Sequence, residues 1–348
     1  MPLKHYSVLK GRPMNNRLAT GDNPHYQVLV SADGEFHRIA VNVRSADGSE
    51  VEFLVRSRFE HPITAELEPL AEGLHPAPSR PGGFALDFIR GNLLQPWEMK
   101  PLPLAAAGPD NDLNEKIDSY VQRAMSDESA MVYAFGETWG PEKKADQYFG
   151  FKPGRGIHDI HMNQGNPPGK FGQDNGPWQD GGLIFEFPNQ RQWVAIFLKF
   201  QTQAWHSDDR EGQPIVDPNP AHPRHPHTPV DRDHIPPLDV PDGLVRIAAA
   251  YVNDVRTPER ETVTLLNTSD RPVDLTGWQI RDKEKASMVL SGEIGAGATK
   301  VVEIRSPVSL SNRGGIITLV NAEGIKVHGV SYTRGQARQP GRTIPFQS

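Results

Sequence analysis

Short runs of β-branched and aromatic residues, alternating with polar ones and broken by Gly, Pro, Asn and Asp, dominate the first 60 positions. Two of them, Tyr26–Val30 and Phe36–Val43, flank Ala-Asp-Gly-Glu; Asp33-Gly34 is a strong hairpin signal because glycine tolerates the positive φ of a tight turn. "EVEFLVRS" at 50–57 adds a third run, so the region predicts a β-meander. Between 74 and 109 Pro and Gly rise around "FALDFIRGNLL", a stretch that suits a short helix. A clearer helix follows, with Leu113, Ile117, Tyr120, Val121 and Ala124 on one face, Asp112 placed to cap it and Glu115 in the capping-box position. "AMVYAFGETW" (130–139) reads as a buried strand with Glu137 at its end. "GGLIFEFP" and "RQWVAIFLKFQTQAW" read as two more, the second apolar enough to be central.

The pattern then breaks. Over 213–242 a proline every few residues forbids helix and central strand, which leaves an extended, semi-rigid linker. His222, His225, His227 and His234 within it form a His-rich tract, but no fold holds them in register for a metal, and a solvated linker is the simpler reading. From 243 to 348, alternating strands recur every 8–12 residues between Gly, Asn and Asp turns, the pattern of a small β-sandwich. The expected organisation is mainly β: a β-rich α+β domain with one or two helices over 1–212, the Pro/His-rich linker, and the sandwich.

Composition agrees and narrows the chemistry. At 348 residues, two domains are expected; 36% apolar and 23% charged residues fit a folded globular chain, and 32 Gly with 32 Pro favour turns over helical bundles. No apolar run approaches the roughly 20 residues that span a bilayer, and "MPLKHYSVLKGR" lacks the apolar core of a signal peptide. A cytoplasmic location is the default expectation, with non-classical export left open. With no cysteine, any metal must sit on His, Asp, Glu, Asn or carbonyl oxygen. The net charge of −6 is uneven: 14 of the 37 Lys/Arg and 10 of the 43 Asp/Glu follow residue 242, so the preceding residues carry 23 against 33. That excludes a strongly basic nucleic-acid binder overall and leaves a modestly basic C-terminal module, for which ordinary solvated surface is the bland alternative.

Two resemblances follow from particular residues. In the C-terminal region "ETVTLLNTSDRPVDLTGWQIRDK", with Leu266-Asn267 ending one strand and Leu275-Thr276-Gly277-Trp278 opening the next, resembles the lamin-tail domain, an immunoglobulin-like sandwich. Asn267 is suited to bonding its own turn and Trp278 to filling the core. The resemblance implies a targeting module that binds a partner or polymer, since in bacteria such domains accompany secreted or surface-acting hydrolases, including nucleases. The first ~210 residues resemble the YukJ-like family (DUF2278) through "YSVLKGR", "PHYQVLV", "HRIAVNV", "LDFIRGNL", "VYAFGE", "GIHDIHMNQGN", "WQDGGLIFEF" and "FQTQAWHSDD". That family implies no activity, so function rests on the candidate site.

Three polar segments punctuate the apolar strands: "HDIHMNQGN" from 158, "WQDGG" from 178 and "QAWHSDD" from 203. Strand alternation sets His158, Ile160 and Met162 on one face and Asp159, His161 and Asn163 on the other. Convergence of the three would unite His158, His161 and His206 with Asp159, Asp180, Asp208 and Asp209. Carboxylates suit Mg or Mn and imidazole adds Zn, so a divalent metal is the expected cofactor. The chemistry that fits is metal-dependent hydrolysis of phosphodiesters such as nucleic acid. Asp159, Asp180 and Asp208 would hold the metal; His161, His158, His206 and Asn163 would be catalytic; Gln164, Asn166, Trp178 and Trp205 would bind substrate. Two alternatives stay open: a metal-free, phospholipase-D-like reaction with His161 as nucleophile and His206 as acid, and a non-enzymatic ligand-binding or assembly protein. The bland reading is that His, Asp and Asn merely satisfy turns. Tyr26, Arg44, Asp87 and Arg90 border apolar stretches; an Arg could clamp phosphate, but fold stabilisation is simpler.

Overall fold

The computed structural model describes residues 6–20, 23–44, 51–77, 98–102, 112–158, 181–200, 244–322 and 326–346. The strands of the N-terminal domain are β1 (Tyr6–Arg17), β2 (His25–Ala32), β3 (Glu35–Asn42), β4 (Val51–Arg56), β5 (Gly73–Pro76), β6 (Lys100–Pro101), β7 (Met131–Glu142), β8 (Gly154–His158), β9 (Gly181–Phe187) and β10 (Gln192–Phe200). Among the described residues two α-helices join them, α1 (Thr64–Leu67) and α2 (Asp112–Met125). The predicted hairpin forms: Asp33 and Gly34 both take positive φ, at 48° and 76°, and Ala32 pairs with Glu35.

The expected meander ends there. β3 pairs not with β4 but with β8, in parallel, and β4 lies across the sheet against β10. Local alternation specifies a strand, not its partner, and the rule that successive strands are neighbours fails where the chain crosses the sheet. Pairing of β1 with β2, β2 with β3, β3 with β8, β8 with β7 and β7 with β1 closes a five-stranded barrel. β9, β10, β4 and β6 extend the sheet from β7. β1 is a 12-residue strand through Pro13, tolerated because its register with β2 shifts between Pro13 and Asn15.

Period 2 in the strands and 3.6 in α2 meet in one core. Leu113, Ile117, Val121 and Ala124 of α2 are fully buried against Tyr26, Val28, Phe185 and Ile196, and Tyr120 stacks on Phe185 at 6.1 Å. Asp112 opens the helix, and its carboxylate pairs with Lys116. The other face of the extended sheet has its own core, with Val8, Tyr133, Phe135 and Phe197 beneath Ile63 and Leu67. On that face Lys10 Nζ donates to the Glu68 and Leu70 carbonyls at 2.8 and 2.9 Å, fastening the segment that follows α1 to the sheet. Among the described residues no helix is long and apolar enough to cross a membrane.

The C-terminal domain is an immunoglobulin-like sandwich. One sheet has the order β17 (Thr299–Glu303), β12 (Thr262–Asn267), β11 (Val245–Tyr251) and β20 (Thr343–Pro345). The other has β15 (Ser287–Val289), β14 (Gln279–Arg281), β18 (Gly314–Val320) and β19 (Lys326–Thr333), which α3 (Arg334–Ala337) follows. A small ribbon pairs β13 (Val273–Asp274) with β16 (Glu293–Ile294). Trp278 is buried in the shared core, as the sequence suggests. Asn267 is fully buried; its Nδ2 donates to the Arg271, Ile294 and Gly295 carbonyls, and its Oδ1 accepts from the Ser269 N–H and hydroxyl. One side chain thus satisfies the polar backbone where two turns meet.

Candidate functional site

The described residues fix where the polar segments are rooted. On β7, Glu137 faces His158 at the end of β8, and two residues earlier Phe135 faces Gly182 at the start of β9. β1 occupies the opposite edge of β7, pairing Tyr6 with Glu137, so β8 and β9 lie end to end along one edge. Both run antiparallel to β7. The chain therefore leaves this edge at His158 and rejoins it about 7 Å away, two strand residues further on. Residues 159–180, which connect the two, lie outside the described residues. β10 ends at the same place, with Leu198 opposite Gly181, and β4 begins there, with Val51 opposite Phe200. The roots of all three polar segments thus lie at one level of the sheet, beside the middle of β7, a consequence of register rather than of proximity in sequence.

Of the residues expected to act, His158 is described. Its half-buried ring lies on the outer face of the barrel, edge-on to His25 at 5.9 Å and 6.4 Å from Trp139, while neighbouring Ile157 is fully buried inside. Glu137, read from sequence as a strand end, is mid-strand and shares His158's face. His25 comes from the start of β2, where it pairs with Asn42. Asp159, His161, Asn163, Gln164, Asn166, Trp178, Asp180, Trp205, His206, Asp208 and Asp209 lie outside the described residues, as do Asp87, Arg90 and the linker histidines. Among the described residues no group of three or more His, Cys, Asp or Glu could hold a metal ion.

Beside His158 lies a feature the sequence reading missed. Arg38 of β3 is buried, its Nε donating at 2.7 Å to Asp146 Oδ2 and its Nη1 at 2.6 Å to Gln27 Oε1. Its guanidinium sits 4.6 Å from the Trp139 ring centroid and 4.8 Å from that of Tyr148. Asp146 Oδ1 accepts from the Tyr148 and Phe149 N–H groups, so a single ion pair ties the turn after β7 to the barrel wall. Gly156 makes room for it: a Cβ there would fall 1.9 Å from the Arg38 carbonyl oxygen and 2.9 Å from Trp139 Nε1. An Arg inside the apolar run "HRIAV" is the signal that would have marked it.

Tyr26 resolves as structural. Its hydroxyl donates to Asp118 of α2 at 2.7 Å and accepts from Asn16, pinning the helix to the barrel; burial and then the Asp118 carboxylate push its pKa far up. Inside the barrel, His37 is held neutral to about pH 4, chiefly by burial and then by the nearby Arg155 guanidinium.

A five-stranded barrel continued by an open sheet, followed by an immunoglobulin-like sandwich, defines the class: a two-domain, mainly β protein. Two family models match, one described as "Uncharacterized conserved protein (DUF2278)" over residues 1–212 and the Lamin Tail Domain over 242–334. The chain belongs to the DUF2278 family. It is similar to the "Uncharacterized protein YukJ" of Bacillus subtilis (strain 168), with 42% identity over 221 residues, covering 62% of this chain and 96% of that protein.

Proposed function

We propose that the N-terminal domain is a metal-dependent phosphodiester hydrolase of nuclease-like type, and that the lamin-tail-like domain brings it to its substrate. The supporting observation is the common origin of the three polar segments at the end of β8, the start of β9 and the end of β10. Segments rooted that closely can bring their side chains within reach of one phosphate. In this reading Asp159, Asp180 and Asp208 hold Mg, Mn or Zn, which would activate water and shield phosphate charge. His161 serves as general base, His206 as acid, and Asn163 orients the scissile group. His158, set among His25, Trp139 and the face of Glu137, lines the barrel side of the site.

The test is turnover of DNA, RNA and a generic phosphodiester with several divalent ions, with and without EDTA, alongside the metal content of the purified protein. Wild type should turn over at least one substrate, EDTA should abolish it, and His161→Ala should lower it by about 100-fold or more. Absence of turnover under every condition, or undiminished turnover by His161→Ala, removes the reading.

A further inference from the structure

The strand order of the sandwich sorts its charges. Tyr251 pairs with both Thr262 and Thr343, Thr262 with Glu303, and Gly314 with Thr333. The loops 252–261, 304–313 and 334–342 therefore leave from one end. Hydrogen bonds join them: Gly341 N–H donates to the Asn253 carbonyl, Asn253 Nδ2 to the Ala337 carbonyl, and Leu310 N–H to Glu261 Oε2. Seven exposed arginines gather here from distant sequence positions: Arg305 pairs with Glu303 and Arg256 with Asp254, and Arg260, Arg313, Arg334, Arg338 and Arg342 complete the set.

Two of their acidic neighbours, Asp254 and Glu261, are turned inward. The Asp254 side chain has no exposure and accepts from the Tyr251 hydroxyl and the Arg256 and Arg260 N–H groups. Glu261 is spent on the Leu310 amide, and Glu259 accepts from Asn312. Asp254 also holds the Arg256 guanidinium, its Oδ2 accepting from Arg256 Nε at 2.8 Å, while Arg260, Arg313, Arg334, Arg338 and Arg342 stand exposed, with Glu259 and Glu303 as the exposed carboxylates at this end. The opposite end, loops 268–278 and 290–298, exposes Asp270, Asp274 and Glu293 against Arg271. The net charge of the whole chain conceals this polarity, and at physiological salt a partner responds to charge within about 8–10 Å.

We propose that this arginine end docks the phosphate backbone of nucleic acid. Guanidinium forks bind phosphate oxygens in pairs, and every basic residue of the three loops is an arginine. Among the described residues of these loops, Val255 is the one large hydrophobic side chain that is strongly exposed, at 71%, too little apolar surface to enter a bilayer. Lys283, on the neighbouring turn, is already engaged by Glu66 of α1 and is not counted in the surface. The assignment deepens the hydrolase reading by giving the polymer a holding surface. It rests on that reading only for treating the bound polymer as substrate.

The experiment is equilibrium binding of labelled single-stranded and duplex DNA to the full chain in EDTA, followed by anisotropy across a salt series. EDTA separates binding from metal-dependent turnover, so an inactive N-terminal domain leaves the measurement intact. At about 0.1 M salt, Arg334→Gln/Arg338→Gln/Arg342→Gln should weaken binding roughly tenfold or more and lower the salt slope by about 3, while Arg271→Gln at the opposite end changes neither. Arg260→Gln/Arg313→Gln, on two other loops, should reduce the slope by about 2 and guards against a local folding defect in the triple variant. Wild-type affinity in both variants overturns the proposal. So does a wild type that binds anionic vesicles but not DNA.

Discussion

Removing the Arg38 guanidinium should unlock the turn after β7 and the wall on which His158 sits. In Arg38→Met, Asp146 keeps the Tyr148 and Phe149 amides but loses the Arg38 Nε bond to a carboxylate with no solvent exposure. Breaking one side of a buried ion pair costs about 3–5 kcal/mol. Loss of the stacking on Trp139 and Tyr148 adds on the order of 1 kcal/mol, which methionine offsets in part by filling the same volume. The net expectation is about 4 kcal/mol, a fall of roughly 10 °C or more in the Tm of a ~200-residue domain. Urea unfolding of the full chain, followed by tryptophan emission, reads the change directly, with Trp139 as a local reporter. Arg38→Met/Asp146→Asn should recover part of the loss, because the amide oxygen still accepts from the Tyr148 and Phe149 N–H groups and no charge is then left buried. Two results would refute the reasoning: Arg38→Met within about 1 kcal/mol of the parent, or a double variant as costly as the two single changes added together.

Asn267→Ala should destabilise the sandwich by about 3 kcal/mol or more, since three carbonyls and the Ser269 donors lose their partner in the interior; thermal unfolding of the C-terminal transition checks it. Glu261 is half-buried, and burial raises its pKa to about 7 from the usual 4.5. The folded chain therefore binds the extra proton between those values, and the sandwich loses stability as pH rises from about 4.5 through about 7. Glu261→Gln should flatten that slope and gain about 1–2 kcal/mol at alkaline pH after solvent screening, as denaturation midpoints across pH would record. His37, with its pKa lowered to about 4 from 6.5, should stay neutral in an NMR titration until about pH 4. As pH falls through that window the unfolded chain takes up the proton first, so the barrel loses stability on acidification; protonation of the His37 ring near pH 6.5 would contradict the burial argument.

The sequence by itself determined the elements whose signals are local. Asp33-Gly34 made its hairpin, the spacing of Leu113, Ile117, Val121 and Ala124 made α2, and Asn267 and Trp278 took the turn and core roles their chemistry suits. It also singled out three polar segments as candidates for one site. Register, barrel closure and charge placement were decided only by the tertiary structure, because strand pairing is a long-range choice that period-2 alternation leaves open. That is why β4 was expected beside β3 and lies beside β10, and why Glu137 sits mid-strand opposite His158. The same holds for Arg38, which reads as an odd charge in an apolar run until Asp146, Gln27, Trp139 and Tyr148 surround it. The seven arginines, scattered over 87 positions from Arg256 to Arg342, become one surface only because the sandwich folds three loops to one end. A residue's type sets what chemistry it can offer; the pairing of distant strands, which no local pattern encodes, sets which residues can offer it together.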